Sequence, residues 1–323
     1  MIRKASAALT ASILMIMVTA CVRVKTPASQ PGAAVPGASL WQQPTDLASR
    51  DLFHGPWGAR NAPDPKATYT LVERKHTGVN LGMTVRDPQG REWSVKQPYP
   101  GAIDFEGPVE VVLSRLLSAV GYHQPPVYFL STFTLKDDWG THTEPGGRFR
   151  LDEPTLKSAG SWSWQENPFI GTRPYQGLLV LMMMFGNTDL KNSNNSIYER
   201  QRGDLVDRWY VVRDIGAALG DTSRLIPRKG NLVSFEREPF IVAVRDGHVD
   251  FGYRGWYQKL VRDRVTPDDV AWASNLLAGL TDRQWQDAFR AAGYETRVAE
   301  RFIRALQQRV NEGRSVTRRA ADN

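Results

Sequence analysis

The chain has 323 residues, of which 41% are hydrophobic, a formal net charge of +7 and one cysteine, Cys21. A single cysteine excludes an internal disulfide framework. The five histidines (His54, His76, His123, His142 and His248) show no ligand spacing, and there is no Gly-x-Ser-x-Gly, so zinc-site and serine-hydrolase chemistry are set aside. Mild basicity suits an anionic surface or a phosphorylated ligand. With no aromatic-basic RNA motif and no basic heptad helix, a nucleic-acid role is not expected.

The chain opens as an export signal. Arg3 and Lys4 precede an uncharged apolar run from Ala7 to Val18, too short to span a bilayer comfortably. Val18-Thr19-Ala20-Cys21 follows and resembles the bacterial lipobox, which implies a diacylglycerol on the Cys21 thiol and cleavage before it. Residues 1–20 are therefore expected to be a lipoprotein signal peptide. Residues 21–45, rich in Ala, Pro, Gly and Ser, are expected to be a flexible tether. The expected location is the bacterial cell envelope, lipid-anchored and facing the periplasm. Val22 in place of Asp after Cys21 favours the outer membrane. A monomer is expected.

Periodicity then gives the elements in order. Ala67–Lys75 is rich in β-formers, Gly82–Arg86 is a second such run, and Asp87-Pro88-Gln89-Gly90 is a turn. Glu92–Gln97 alternates as a half-buried strand. Val109, Val112, Leu113, Leu116, Leu117 and Val120 have helical spacing, closed by Gly121. Val127–Thr134 predicts a further strand. Residues 137–167 are polar, carry Gly146-Gly147 and predict irregular chain, with Trp162 and Trp164 packing or forming a glycan-binding strip. Tyr175–Phe185 predicts a buried helix, and Ser196–Tyr198 with Trp209–Val212 a short hairpin. Helices are predicted from Thr266 (with Pro267 at the first position), from Thr281 and from Thr296 to Val310. A basic, frayed tail is expected after Gly313. The fold class is α+β, with a small β-rich lobe (46–135), a larger helical lobe (136–313) and the tail (314–323).

Five features share this framework. Thr77-Gly78-Val79-Asn80-Leu81-Gly82 joins two strands, and Gly78 and Gly82 could bring backbone N–H groups against phosphates. Lys96 alternates with Val95 in the third strand, where a cation can pair with phosphates. Glu110 near the start of the following helix can orient that lysine, with Glu106 as its rival. After the buried helix, Gly186-Asn187-Thr188-Asp189-Leu190-Lys191-Asn192-Ser193-Asn194-Asn195 sets Asp189 and Asn194 five residues apart. An Asp there can hold an acceptor hydroxyl, and an Asn carbonyl can reach a hard metal. Tyr210-Val211-Val212-Arg213-Asp214-Ile215-Gly216 ends a strand in Asp-x-Gly, where Asp214 can chelate Mg²⁺.

The loop after the buried helix resembles the Gly-Asp-Arg-His-Asn-Ser-Asn catalytic loop of phosphoinositide kinases and the Asn-x-Asp-x-His-x-x-Asn loop of HipA-like kinases. Arg213-Asp214-Ile215-Gly216 is similar to their metal-binding Asp-Phe-Gly or Asp-x-Gly segment. The resemblance covers residues 68–220 and implies a kinase-like fold using ATP and Mg. It implies Lys96 and Glu110 as the ion pair, Asp189 as the catalytic acid–base group and Asn194 and Asp214 as metal ligands. Leu190-Lys191 stands where Arg or His often follows the catalytic Asp, and Lys191 could contact the γ-phosphate. The glycine loop is sparse and no Ala-Pro-Glu follows Asp214, so the likeness is to an atypical kinase. The expected activity is phosphoryl or nucleotidyl transfer to a hydroxyl acceptor. The alternative is an inactive kinase-like scaffold of the envelope.

Overall fold

The computed structural model describes residues 35–75, 81–98, 106–220 and 230–321. The expected signal peptide, Cys21 and Gly78 lie outside the described residues. In chain order the elements are β1 (Ala38–Ser39), β2 (Thr68–Lys75), β3 (Leu81–Arg86), β4 (Glu92–Gln97), α1 (Glu106–Ala119), β5 (Val127–Asp137) and β6 (Gly140–Leu151). They continue with β7 (Lys157–Ser158), α2 (Arg173–Met184), β8 (Asn195–Arg202), β9 (Leu205–Val212), α3 (Leu232–Arg237), β10 (Ala243–Arg245) and β11 (His248–Asp250). Helices α4 (Gln258–Arg262), α5 (Pro267–Ala278), α6 (Asp282–Ala291) and α7 (Thr296–Ala321) complete the chain. The fold is mixed α+β, strand-rich first and helical later, as the periodicities predict.

Strands β2 to β6 close into a barrel in the order β2-β3-β4-β6-β5, with β2 and β5 parallel and the other neighbours antiparallel. Its core is aromatic: Tyr69, Trp93, Phe133 and Phe149 are fully or almost fully buried. In β4 the alternation sends Trp93 and Val95 inward, so Ser94 and Lys96 face outward. A second, larger core joins α1 and α2 to α5–α7. From Gly177 to Met184 helix α2 is apolar on all sides and buried accordingly, and the Thr172 side chain accepts from the Tyr175 N–H at its start. Capping boxes at Thr266/Asp269 and Thr281/Gln284 begin α5 and α6 where the sequence places them.

Three expectations need correction. The tether ends before residue 45: β1 pairs in parallel with β9, Leu40 is buried, and the Trp41 indole N–H donates to the Val120 carbonyl at 2.7 Å. Residues 137–151 are not irregular; β6 runs through them and is needed to close the barrel. The two glycines that suggested a loop are close-approach residues. A Cβ at Gly146 would lie 2.0 Å from the Leu130 carbonyl oxygen, and one at Gly147 2.5 Å from that of Lys96. Finally, the tail does not fray after Gly313, since α7 continues to Ala321. Gly313 is a packing glycine: a Cβ there would meet Ser274 Oγ of α5 at 2.1 Å. Gly313→Leu is therefore expected to destabilise the protein by about 1–3 kcal/mol through overpacking, as read from denaturant midpoints.

Candidate active site

The site forms where β4, α1 and the chain after β9 meet. Glu106 and Glu110 are one helical turn apart, so both carboxylates face the same way and reach the same ammonium. Lys96 Nζ donates to Glu106 Oε2 at 3.0 Å, to Asp214 Oδ1 at 2.8 Å and to Glu110 Oε1. The sequence left Glu106 and Glu110 as rivals for Lys96, and the structure uses both. All three protons of the ammonium are thus engaged.

Behind this cluster stands a residue the sequence reading missed. Arg148 of β6 is buried, and its Nε lies 2.9 Å from Glu110 Oε2 while its Nη1 donates to the Ser94 carbonyl at 3.0 Å. Its signal was the alternation in Arg148-Phe149-Arg150, hidden by the preceding glycines. Glu110 is thereby held between two cations.

The carboxylates divide the titration between them. Burial pushes the Glu110 carboxyl up, beyond what Lys96 and Arg148 pull it down. Burial would raise Asp214 too, but Lys96 and a hydrogen bond from Glu110 outweigh it and hold Asp214 well below the usual carboxylate range. Burial would draw the Lys96 ammonium down, yet Glu110, Asp214 and Glu106 together keep it above its ordinary value. Glu110 is thus the weaker acid of the two and Asp214 the stronger. Asp214 is also the accessible member, with its side chain 45% exposed against 3% for Glu110.

Single oxygens of Glu106, Glu110 and Asp214 lie within 4.8 Å of one another. Three hard oxygen donors, one of them exposed and anionic, fit a divalent cation such as Mg²⁺. The Asp-x-Gly segment is pressed onto α1: a Cβ at Gly216 would lie 2.4 Å from Glu106 Cβ, so only glycine allows that approach.

The loop after α2 is tied to the same place. Asn194 Nδ2 donates to the Asp189 carbonyl at 2.8 Å, and the Asn194 carbonyl accepts from the N–H groups of Arg213 at 2.9 Å and Asp214 at 3.2 Å. Asn194 is therefore the clasp between Asp189 and Asp214. The Asp189 N–H donates to Asn187 Oδ1 at 2.8 Å, fixing the turn. Lys191 Nζ sits 2.9 Å from Asp189 Oδ1 and 5.3 Å from the centre of the Trp256 ring. Tyr253 and Gly255 crowd the Thr188 carbonyl from the other side, with the Tyr253 hydroxyl donating to it at 3.3 Å.

Two expectations fare differently. Gly82 lies in β3 opposite Lys96, but a Cβ there would make only ordinary contacts, with Lys75 at 3.5 Å and the Val95 carbonyl oxygen at 3.7 Å, so nothing in the described chain demands glycine. Trp162 and Trp164 are not a glycan strip. They are 4% and 0% exposed, and the Trp162 indole N–H donates to the Val211 carbonyl at 3.0 Å, so they pack the back of the loop.

No family model matches the chain, and no curated protein sequence matches it. Among solved structures the chain is similar to the Golgi casein kinase with Mn/ADP bound, at 9% identity and a TM-score of 0.37, over 79% of this chain and 73% of that one. A second structure of the Golgi casein kinase matches at 11% identity and a TM-score of 0.35, with the same coverage. At that level of likeness, the chemistry of the site rests on its own residues.

Proposed function

We propose that this protein is a membrane-anchored envelope lipoprotein whose domain transfers a phosphoryl group from a Mg-nucleotide to a hydroxyl acceptor. The observation that carries the proposal is the meeting of Lys96, Glu106, Glu110 and Asp214, drawn from a strand, a helix and a strand end. A phosphate-handling site of the kinase type uses a strand lysine paired with a helix glutamate beside a metal-binding aspartate, and Lys96, Glu110 and Asp214 supply those groups.

In this account Lys96 supplies positive charge to the donor phosphates, and Glu110 with Arg148 behind it fixes the lysine's direction. Asp214, with Asn194 holding its backbone, would hold the divalent cation with Glu106. That cation, when bound, neutralises charge on the transferring phosphate. Asp189 accepts a hydrogen bond from the acceptor hydroxyl and takes its proton as the new oxygen–phosphorus bond forms and the phosphorus–oxygen bond to the departing nucleoside diphosphate breaks. Lys191 holds the Asp189 carboxylate in place and offers a charge to the phosphate. The lipid on Cys21 keeps this chemistry at the membrane surface, where two or more acyl chains anchor stably.

One observation favours a second reading, an inactive kinase-like scaffold: the Lys96 ammonium is already filled by three carboxylates. The exposure of Asp214 answers it, since that carboxylate is free to turn toward solvent and release one donor. Release of ADP by the full chain with Mg-ATP and a panel of hydroxyl acceptors decides between the two. Turnover above background supports transfer, whereas nucleotide binding without turnover on any acceptor supports the scaffold.

A further inference from the structure

A second cleft, of about 900 Å³, lies apart from the site: none of Lys96, Glu106, Glu110, Asp189 or Asp214 lines it. It is bounded by the chain before the barrel, the C-terminal half of α1 and the β8–β9 hairpin. Its lining mixes arginines with aspartates, and most of the aspartates have evident partners. Asp46 Oδ1 is 3.0 Å from Arg50 Nε, and Nη1 of that guanidinium donates to the Ser118 and Ala119 carbonyls. Asp51 accepts two backbone N–H groups and sits 2.8 Å from His54. Asp207 faces Arg200 across the strand pair and lies 3.9 Å from Arg202.

Arg115 is left over. It comes from α1, lines the cleft and is 2% exposed. Among the described residues its guanidinium makes one long hydrogen bond, from Nε to the Phe53 carbonyl at 3.4 Å, and lies 5.1 Å from the centre of the Tyr128 ring. Burial lowers it to about 10, with Tyr128 and Asp51 pulling the other way, so it remains charged at neutral pH. A guanidinium has five N–H donors in a planar fork. A buried charge with so few partners is costly unless something completes it. Gly55 lets the chain pass close against the guanidinium: with φ +74°, a Cβ there would lie 2.6 Å from an Arg115 terminal nitrogen, so a larger residue would displace the fork.

We propose that this cleft, which the rim of Trp209 also lines, is a binding site for a small organic carboxylate held by the Arg115 fork. A planar carboxylate matches the fork in two parallel hydrogen bonds and balances one buried positive charge. A phosphate dianion would bring surplus negative charge beside Asp51. Trp209 offers its rim to the cleft, because its faces are taken: His123 stacks on the ring at 4.4 Å and 5°, and the Arg200 guanidinium lies 5.3 Å from its centre. His123 is drawn down to about 4, first by burial, so it stays neutral at pH 7 and leaves the charge to Arg115.

The test is a melting and tryptophan-fluorescence titration of the full chain at constant ionic strength, with benzoate, benzamide and inorganic phosphate as probes. Benzoate is expected to raise the melting temperature saturably, and benzamide to do so at least tenfold more weakly. Arg115→Gln should lose the benzoate response tenfold or more. Gly55→Ala, which crowds the fork from a loop, should weaken it as well and serves if Arg115→Gln does not fold. Equal responses to benzoate and benzamide, or an undiminished benzoate response in these variants, would overturn the proposal. Saturable binding of phosphate without benzoate would overturn the carboxylate assignment.

Discussion

Lys96→Met is expected to lower stability by roughly 3 kcal/mol and to abolish stabilisation by Mg-ATP. The first effect follows from burial: Met keeps the side chain's bulk but leaves Glu110, 3% exposed, without one of its two cations. Breaking a buried pair by removing one partner costs about 3–5 kcal/mol, and Arg148 at 2.9 Å from Glu110 places this case at the low end. The deficit should depend on pH. Glu110 is already pushed above its ordinary value of 4.5, and without Lys96 it rises further. A carboxyl whose folded-state value is raised destabilises the fold as pH climbs past the unfolded value, and the penalty fades as pH falls back toward it. Urea melts of Lys96→Met and wild type should therefore converge as pH drops toward the ordinary carboxylate range. A deficit independent of pH would mean that Glu110 is not the group left exposed to the loss.

Asp189→Asn should behave in the opposite way, with little change in stability or nucleotide response and a loss of transfer of about 10²- to 10⁴-fold. Asn keeps the size of the side chain, and the backbone bonds of residue 189 to Asn187 and Asn194 do not involve its carboxylate. The lost partner is Lys191, whose side chain is 42% exposed, so the ion pair itself contributes little to stability. What disappears is the group that takes the acceptor's proton. A steady-state comparison should show kcat falling with the nucleotide KM nearly unchanged. A matching fall in nucleotide affinity would move Asp189 from proton transfer to donor binding.

Much of the site was legible in the sequence because local periodicity fixes direction. Alternation in Glu92–Gln97 put Lys96 on the face opposite Trp93 and Val95, and the apolar positions of 109–120 put Glu110 at the start of a buried helix. The spacing of Glu106 and Glu110 left a choice that helix geometry makes unnecessary, since both reach one lysine. Asp214 at the end of a buried strand and Asn194 in the loop were found by spacing. Their connection through the Asn194 carbonyl is a tertiary fact with no sequence signal.

What escaped had a common cause. Gly146, Gly147 and Gly313 look like breakers in a one-dimensional reading, but each is a place where two backbones or a backbone and a side chain nearly touch. Misreading the first two concealed β6 and with it Arg148. Misreading the third cut α7 short, helped by the basic residues of its last turns. The unmatched guanidinium of Arg115 was equally hidden, because a lone arginine among the apolar residues of α1 carries no mark of its surroundings until the cleft is built around it.

A metal-nucleotide site built on Asp214 should show itself in thermal melting of the full chain with and without Mg-ATP, beside Asp214→Ala. At a ligand concentration 100 times its dissociation constant, wild type should gain about 2.7 kcal/mol, seen as a raised midpoint, and Asp214→Ala should gain nothing. No shift in wild type with any Mg-nucleotide, or an equal shift in Asp214→Ala, would mean that Asp214 holds no metal-nucleotide.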